Sequence, residues 1–232
     1  LTHVRDVFDD EKKTIFGEPY IVDDYQALKE IILDEAYTQL FIPGEDAVLE
    51  QYPEQIGVLE DMAAALKYKL PFYMVGETGA GKTALITYLC HLTGNALRRF
   101  NASGQTEKSE LIGEPKPYLK KDKDGNEEMS FKWFDNVLTE SVKLGHIFYI
   151  DEINLAKARV YTKMNSLLDD ERRLLINESG KNEIVNTHED FWLCAASNPV
   201  SETGRNKLAE DLRNRFLWRY VDELSPTSLV SL

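Results

Sequence analysis

The 232-residue chain is 43% hydrophobic and 29% charged, values that exclude a disordered or collagen-like protein and suffice for a domain with its own core. Its 27 Lys and Arg against 40 Asp and Glu give a net charge of −13, which argues against a general coating protein for nucleic acid, since such a surface must be basic. The acidity is concentrated: residues 1–60 hold 15 acids and 4 bases, whereas residues 61–232 hold 25 and 23, so a local polyanion site in the second part stays open.

Residues 1–23 are polar and irregular, and residues 24–40 have helical spacing through Leu28, Ile31, Ile32 and Leu40. A second helix is predicted near 53–69, with Ile56, Leu59, Met62, Ala63 and Leu66 on one face, ended by Pro71. Strands and helices then alternate. Strands are predicted at 72–75, 96–101, 147–150, 191–196 and 216–221, and helices at 82–93, 135–144, 156–169 and 207–214. Asp124-Gly125 marks the turn of a hairpin over 115–132, and residues 174–176 and 183–185 form a second. Apolar strands alternating with helices imply a parallel sheet covered on both faces.

Cys90 and Cys194 form no close pair, and the four histidines lack metal spacing. Both cysteines are expected to be buried apolar residues in a reducing, cytoplasmic compartment. No apolar run approaches the roughly 20 residues of a membrane span, and no signal peptide is visible. The chain begins with Leu1, which suggests a fragment or processed form.

Four motifs carry chemistry. Gly76-Glu77-Thr78-Gly79-Ala80-Gly81-Lys82-Thr83 fits G-x-x-x-x-G-K-[ST]. Glycines let several N–H groups turn toward phosphate oxygens, Lys82 reaches the β- and γ-phosphates, and the Thr83 hydroxyl can ligate Mg²⁺. A chance match in a chain this long arises about once in a hundred. The strand His146-Ile-Phe-Tyr-Ile then ends in Asp151 and Glu152. Carboxylates at the carboxyl ends of parallel strands face the ligand crevice. There Asp151 suits a Mg²⁺ site, and Glu152 suits the base for an attacking water.

The strand Phe191-Trp-Leu-Cys-Ala-Ala-Ser ends in Asn198-Pro199. Alone this is a turn signal; in register with the other motifs Asn198 reads as a sensor of the γ-phosphate. Leu212-Arg213-Asn214-Arg215-Phe216 is a basic helix end in a monomer. In a ring, one of its arginines would grip a neighbour's γ-phosphate.

Together, GETGAGKT, YIDEINLAKARVYTKMNSLLDDERRLLI, FWLCAASNP and GRNKLAEDLRNRF resemble the AAA+ ATPases of the MoxR and midasin (dynein-related) group, over about residues 41–221. The resemblance implies an α/β P-loop NTPase: a three-layer αβα sandwich with a central parallel five-stranded sheet and inserted β-hairpins that touch substrate or partner. It implies ATP (or ADP) and Mg²⁺ as cofactors. Gly76, Glu77, Thr78, Gly79, Ala80, Gly81, Lys82 and Thr83 would hold the nucleotide, and Thr83 and Asp151 the metal. Glu152 would be the base, Asn198 the sensor, and Arg215 or Arg213 the trans-acting finger. Asn154 continues the D-E-I-N run without an assigned role.

Only 17 residues follow Arg215, so the helical lid usual in such proteins is expected to be absent. Residues 1–40 then form an acidic arm or linker, and 41–232 the large αβ subdomain. The implied activity is Mg²⁺-dependent ATP hydrolysis by a motor that acts as a homo-oligomeric ring, a hexamer, on a macromolecular client not identified by the sequence. Nucleic acid is not indicated as that client, and no membrane is. A GTP-using motor of a restriction-type system and a nucleotide-gated interaction module with little hydrolysis are the rival readings.

Overall fold

The structure, a computed structural model, describes residues 53–121, 127–178, 182–199 and 207–223, together with the two-residue strands β1 (Thr14–Ile15), β2 (Glu18–Pro19) and β3 (Leu40–Phe41). The predicted helix over 24–40 lies outside the described residues, save for Leu40. After these strands come α1 (Pro53–Lys67) and β4 (Phe72–Val75), then α2 (Lys82–Thr93), β5 (Leu97–Asn101) and the short α3 (Lys108–Ile112). A long hairpin follows, β6 (Gly113–Lys121) and β7 (Glu127–Asp135), and then α4 (Val137–Leu144) and β8 (Ile147–Asp151). The chain continues through α5 (Asn165–Leu168), the hairpin β9 (Arg173–Ile176) and β10 (Glu183–Asn186), β11 (Trp192–Ser197), α6 (Glu210–Arg213) and β12 (Leu217–Tyr220).

The main sheet has the order β12-β4-β11-β8-β5-β3. Its first five strands are parallel, and β3 adds two antiparallel residues on the β5 edge. The strands β8 and β11 are apolar along their length because both sheet faces are covered. Phe148, Ile150, Leu193 and Ala195 join one core with Leu138 and Val142 of α4. Ile147, Tyr149, Trp192 and Cys194 join the other with Met62 of α1 and Leu85, Ile86 and Leu89 of α2. Cys90 and Cys194 are both free and buried, and burial pushes each thiol pKa up.

Three expectations change. The buried stripe of α1 is Val58, Met62, Ala65 and Leu66, beside Gln55, whereas Ile56 and Ala63 face solvent. Both patterns have helical spacing, and only packing against α2 chooses between them. The helix predicted over 156–169 is instead three 3₁₀ turns, Ile153–Leu155, Ala158–Val160 and Thr162–Met164, ending in the single turn α5. Buried Ile153, Ala156, Val160, Met164 and Leu167 keep three- and four-residue spacings that suit either helix type. The helix predicted over 207–214 is reduced to one turn, α6.

The β6–β7 hairpin extends beyond the predicted 115–132, and its turn, residues 122–126, lies outside the described residues. Pairing of Pro115 with Trp133 and Pro117 with Phe131 puts these four and Met129 on one face. Met129 and Phe131 are about two-thirds exposed, at 68% and 66%. Lys116, Lys132 and Phe134 lie on the opposite face, with both ammonium groups 5.8 Å from the ring centre.

Candidate nucleotide site

The carboxyl ends of β4, β8 and β11 converge because these strands run parallel and in near register: Ser197 pairs with Val75, and Ala195 with Ile150. Gly76 leaves β4 with its N–H donating to the Ser197 carbonyl at 3.2 Å. A Cβ at Gly76 would run into the Val221 carbonyl, so only glycine lets the loop pass this close to the end of β12. Gly81 caps α2 with a φ of 84°, and a Cβ there would come within 2.7 Å of Gln55 Nε2. The backbone N–H groups of the first turn of α2 thus open toward the loop.

Lys82, only 8% exposed, folds back over this loop. Its ammonium donates to the carbonyls of Gly76 at 2.6 Å and Glu77 at 2.8 Å, and to Asn198 Oδ1 at 2.8 Å. The Asn198 amide nitrogen donates to Thr78 Oγ1 at 2.6 Å. The loop, the lysine and the predicted sensor therefore form one connected unit, although Lys82 and Asn198 are 116 residues apart. Asn154 completes it: its amide nitrogen donates to the Asn198 carbonyl at 3.1 Å. The residue left without a role by the sequence holds the main chain of Asn198.

Asp151 ends β8 with both carboxylate oxygens engaged. Arg99 Nη2 donates to one at 2.6 Å, and Tyr149 Oη and the Glu152 N–H donate to the other at 3.2 and 3.1 Å. Tyr149 Oη also lies 3.4 Å from Thr83 Oγ1, so a single phenol joins the two oxygen donors expected at a metal. Burial, followed by the Asp151 charge, raises the Tyr149 pKa and keeps the phenol protonated. Hydroxyl and carboxylate are hard oxygen donors suited to Mg²⁺. Glu152 adopts a left-handed backbone, φ 54° and ψ 41°, which turns the chain out of the strand into the first 3₁₀ turn.

The two arginines separate. Arg215 Nε pairs with Asp169 at 2.8 Å, and its Nη1 donates to the Asp211 carbonyl at 2.5 Å. The Arg213 guanidinium lies 5.3 Å from the Trp218 ring centre on the exposed side of α6. The contacts of both arginines thus run to Asp169, Asp211 and Trp218, so the structure brings the loop, Asp151, Glu152 and Asn198 together but leaves the arginines outside that unit. Sequence reasoning missed Gln55, Arg99 and Tyr149. Of these, only Tyr149 carried a signal, as a polar-tipped residue two before Asp151 in an apolar strand.

The model of the AAA domain, dynein-related subfamily, matches residues 71–216. The chain belongs to this AAA family. Among curated proteins it is similar to midasin of Giardia intestinalis, 37% identical over 164 residues, and midasin of Dictyostelium discoideum, 36% identical over 162. An uncharacterized protein of Staphylococcus epidermidis is 32% identical over 165 residues. These alignments take in 70%, 69% and 71% of the chain, but 3% of each midasin and 60% of the staphylococcal protein. The fold is similar to the crystal structure of a candidate ATPase from Cytophaga hutchinsonii, with a TM-score of 0.56 at 17% identity, covering 90% of this chain and 55% of the other. AAA domains bind nucleotide, commonly with Mg²⁺. Among the described residues, no helix is long and apolar enough to cross a membrane.

Proposed function

We propose that this AAA domain binds ATP with Mg²⁺ at the Gly76–Thr83 loop and hydrolyses it, as the large αβ part of a motor that remodels a macromolecular client from within a ring. Residues 41–232 would form this part, and the acidic residues 1–40 an arm or linker. The observation that carries the reading is the position of Lys82, held at once by the loop carbonyls and by Asn198. A lysine in that place can exchange chain oxygens for the β- and γ-phosphate oxygens while Asn198 follows the γ-phosphate.

The chain's own groups divide the work. Backbone N–H groups of the loop and the start of α2 would grip the phosphates. Thr83 and Asp151 would hold Mg²⁺, with Arg99 and Tyr149 fixing the carboxylate. Bound there, Mg²⁺ neutralises charge developing on the phosphate oxygens. Glu152 would orient the attacking water and take its proton as the phosphorus–oxygen bond to the leaving ADP breaks. Arg213 and Arg215 lie outside this cluster, which supports a role toward a neighbour's nucleotide.

Glu152→Gln is expected to keep ATP affinity within about threefold and to lower turnover by at least about a hundredfold. Titration calorimetry and phosphate release on the assembled protein measure the two. Normal turnover in this variant would sink the assignment of the base. A parallel GTP titration separates the ATP reading from that of a GTP motor.

A further inference from the structure

Two hydroxyls are buried in the core beneath the carboxyl end of the sheet. Tyr73 of β4 is 6% exposed and Ser197 of β11 is 1% exposed. Tyr73 Oη and Ser197 Oγ lie 2.6 Å apart, and either can be the donor. The rest of the Tyr73 side chain shares its core with Phe148, Leu193, Ala195 and Phe216. Such a pair adds little to stability. Replacing both partners of a buried hydrogen bond by apolar groups of the same shape is nearly neutral, whereas removing one leaves the other unsatisfied. Phe and Ala would fill these two places. What a satisfied buried pair does supply is a single fixed arrangement of the elements that carry it.

Those elements are the strand of Asn198 and the turn of the two arginines. Ser197 ends β11: its carbonyl accepts the Gly76 N–H at 3.2 Å, and the next residue is Asn198, whose side chain bonds Lys82 and Thr78. On the other side, the Tyr73 ring lies 5.9 Å from the Phe216 ring, inclined at 54°. Phe216 belongs to the arginine turn: its N–H donates to the Arg213 carbonyl at 3.1 Å, and the Arg215 N–H donates to the Leu212 carbonyl at 3.2 Å. The strand β4 lies between β11 and β12, with Tyr73 paired to Ala195 on one side and to Trp218 on the other. One side chain therefore spans from the end of β11 to the turn bearing Arg213 and Arg215. Burial raises the Tyr73 pKa. The bond to Ser197 and the Arg213 charge pull it back, and the Glu152 charge adds to the rise. The phenol thus stays protonated at a place where the charges of Glu152 and Arg213 are both felt.

We propose that Tyr73 is a positioning residue that ties the arginine turn to Asn198, through the Ser197 hydroxyl on one side and the Phe216 ring on the other. The inference rests on the nucleotide reading above. When Asn198 leaves Thr78 for a γ-phosphate, the end of β11 moves with it. The hydroxyl pair keeps Tyr73 attached to that end, and the Tyr73 ring moves Phe216 and with it Arg213 and Arg215. Tyr73 acts through its neighbours and not on the nucleotide, so its loss should leave binding intact while the arginine turn stops following the bound nucleotide.

The test is fluorine NMR of the intact chain labelled with fluorotryptophan. Trp218 lies 5.3 Å from the Arg213 guanidinium, so its resonance, assigned with Trp218→Phe, reports on the arginine turn. Spectra are taken with Mg²⁺ and saturating ADP or adenylyl imidodiphosphate, and calorimetry measures both affinities. In the parent, the Trp218 resonance is expected to differ between the two nucleotides. At least about half of that difference should vanish in Tyr73→Phe and in Ser197→Ala, with both affinities within about threefold of the parent. Urea unfolding should show a loss of stability in each single variant and a return toward the parent in Tyr73→Phe/Ser197→Ala, which should still lack the nucleotide difference. That last pattern separates positioning from a merely structural role. A full difference in the double variant overturns the proposal, as does a parent that binds both nucleotides with one unchanged Trp218 resonance. A parent that binds neither nucleotide overturns the nucleotide reading itself.

Discussion

The two ends of the central sheet use polar side chains in opposite ways. At the carboxyl ends, Lys82, Asn198, Thr78 and Asn154 hold one another across three strands. On the proposed reading, phosphate oxygens would take over bonds that Lys82 now makes to the chain. At the amino ends the bonds tie neighbouring segments to one another, away from the Gly76–Thr83 loop. Trp192 Nε1 donates to the Leu70 carbonyl at 2.7 Å, Lys69 Nζ to the Asp190 carbonyl at 3.0 Å, and Arg98, 3% exposed, pairs with Glu140 at 3.1 Å. His146, just before β8, lies beside Arg98 and His188. Burial, reinforced by those two groups, pushes its pKa down to about 4. On the proposed reading, the same strands carry an end that serves stability and an end that serves a ligand.

Substitutions at each end can break or sharpen this contrast. The largest effect is expected from Lys82→Ala, with ATP affinity falling about a thousandfold, or about 4 kcal/mol, and chemical unfolding shifting far less. Calorimetry and urea titration measure the pair, and unchanged affinity would erase the distinction. Next is His146. The unfolded histidine titrates near its ordinary 6.5 and the folded one near 4, so the unfolded chain takes up the proton first as pH falls. Stability is full above pH 6.5 and drains by about 3 kcal/mol on the way to pH 4. Urea unfolding of His146→Leu across that window should lack this component; an identical pH slope in both proteins would show that His146 is not the group.

Trp192→Phe removes the donor to Leu70 and leaves a small void, a loss of about 2 kcal/mol in thermal unfolding with nucleotide affinity intact. The smallest effect belongs to the β6–β7 hairpin. Met129→Ser with Phe131→Ser alters side chains that are mostly exposed, so stability should move by no more than about 0.5 kcal/mol. A clear drop in melting temperature would mean that this face is packed in solution.

Legibility followed the same division. The strands β4, β8 and β11 stand out because burial on both faces demands unbroken apolar runs, and the loop from Gly76 to Thr83 stands out because phosphate binding needs that spacing. Segments 153–168 and 207–214 were less legible, since their apolar positions fit a 3₁₀ turn as well as an α-helix. Arg99 and Gln55 were not legible at all. Each matters through one tertiary partner, Asp151 or Gly81, and no local pattern announces such a pairing. Asn154 lay between these cases: its place in D-E-I-N was visible, but its bond to Asn198 exists only once β8 and β11 are neighbours.

Glu152 carries a consequence of its own. A non-glycine residue at φ 54° is held in a conformation that disfavours a Cβ by about 1 kcal/mol. Glycine at 152 would relax the backbone and stabilise the fold while deleting the carboxylate. Selection for folding alone would therefore drift toward glycine here, and a glutamate kept at this position is what the proposed role as base would require.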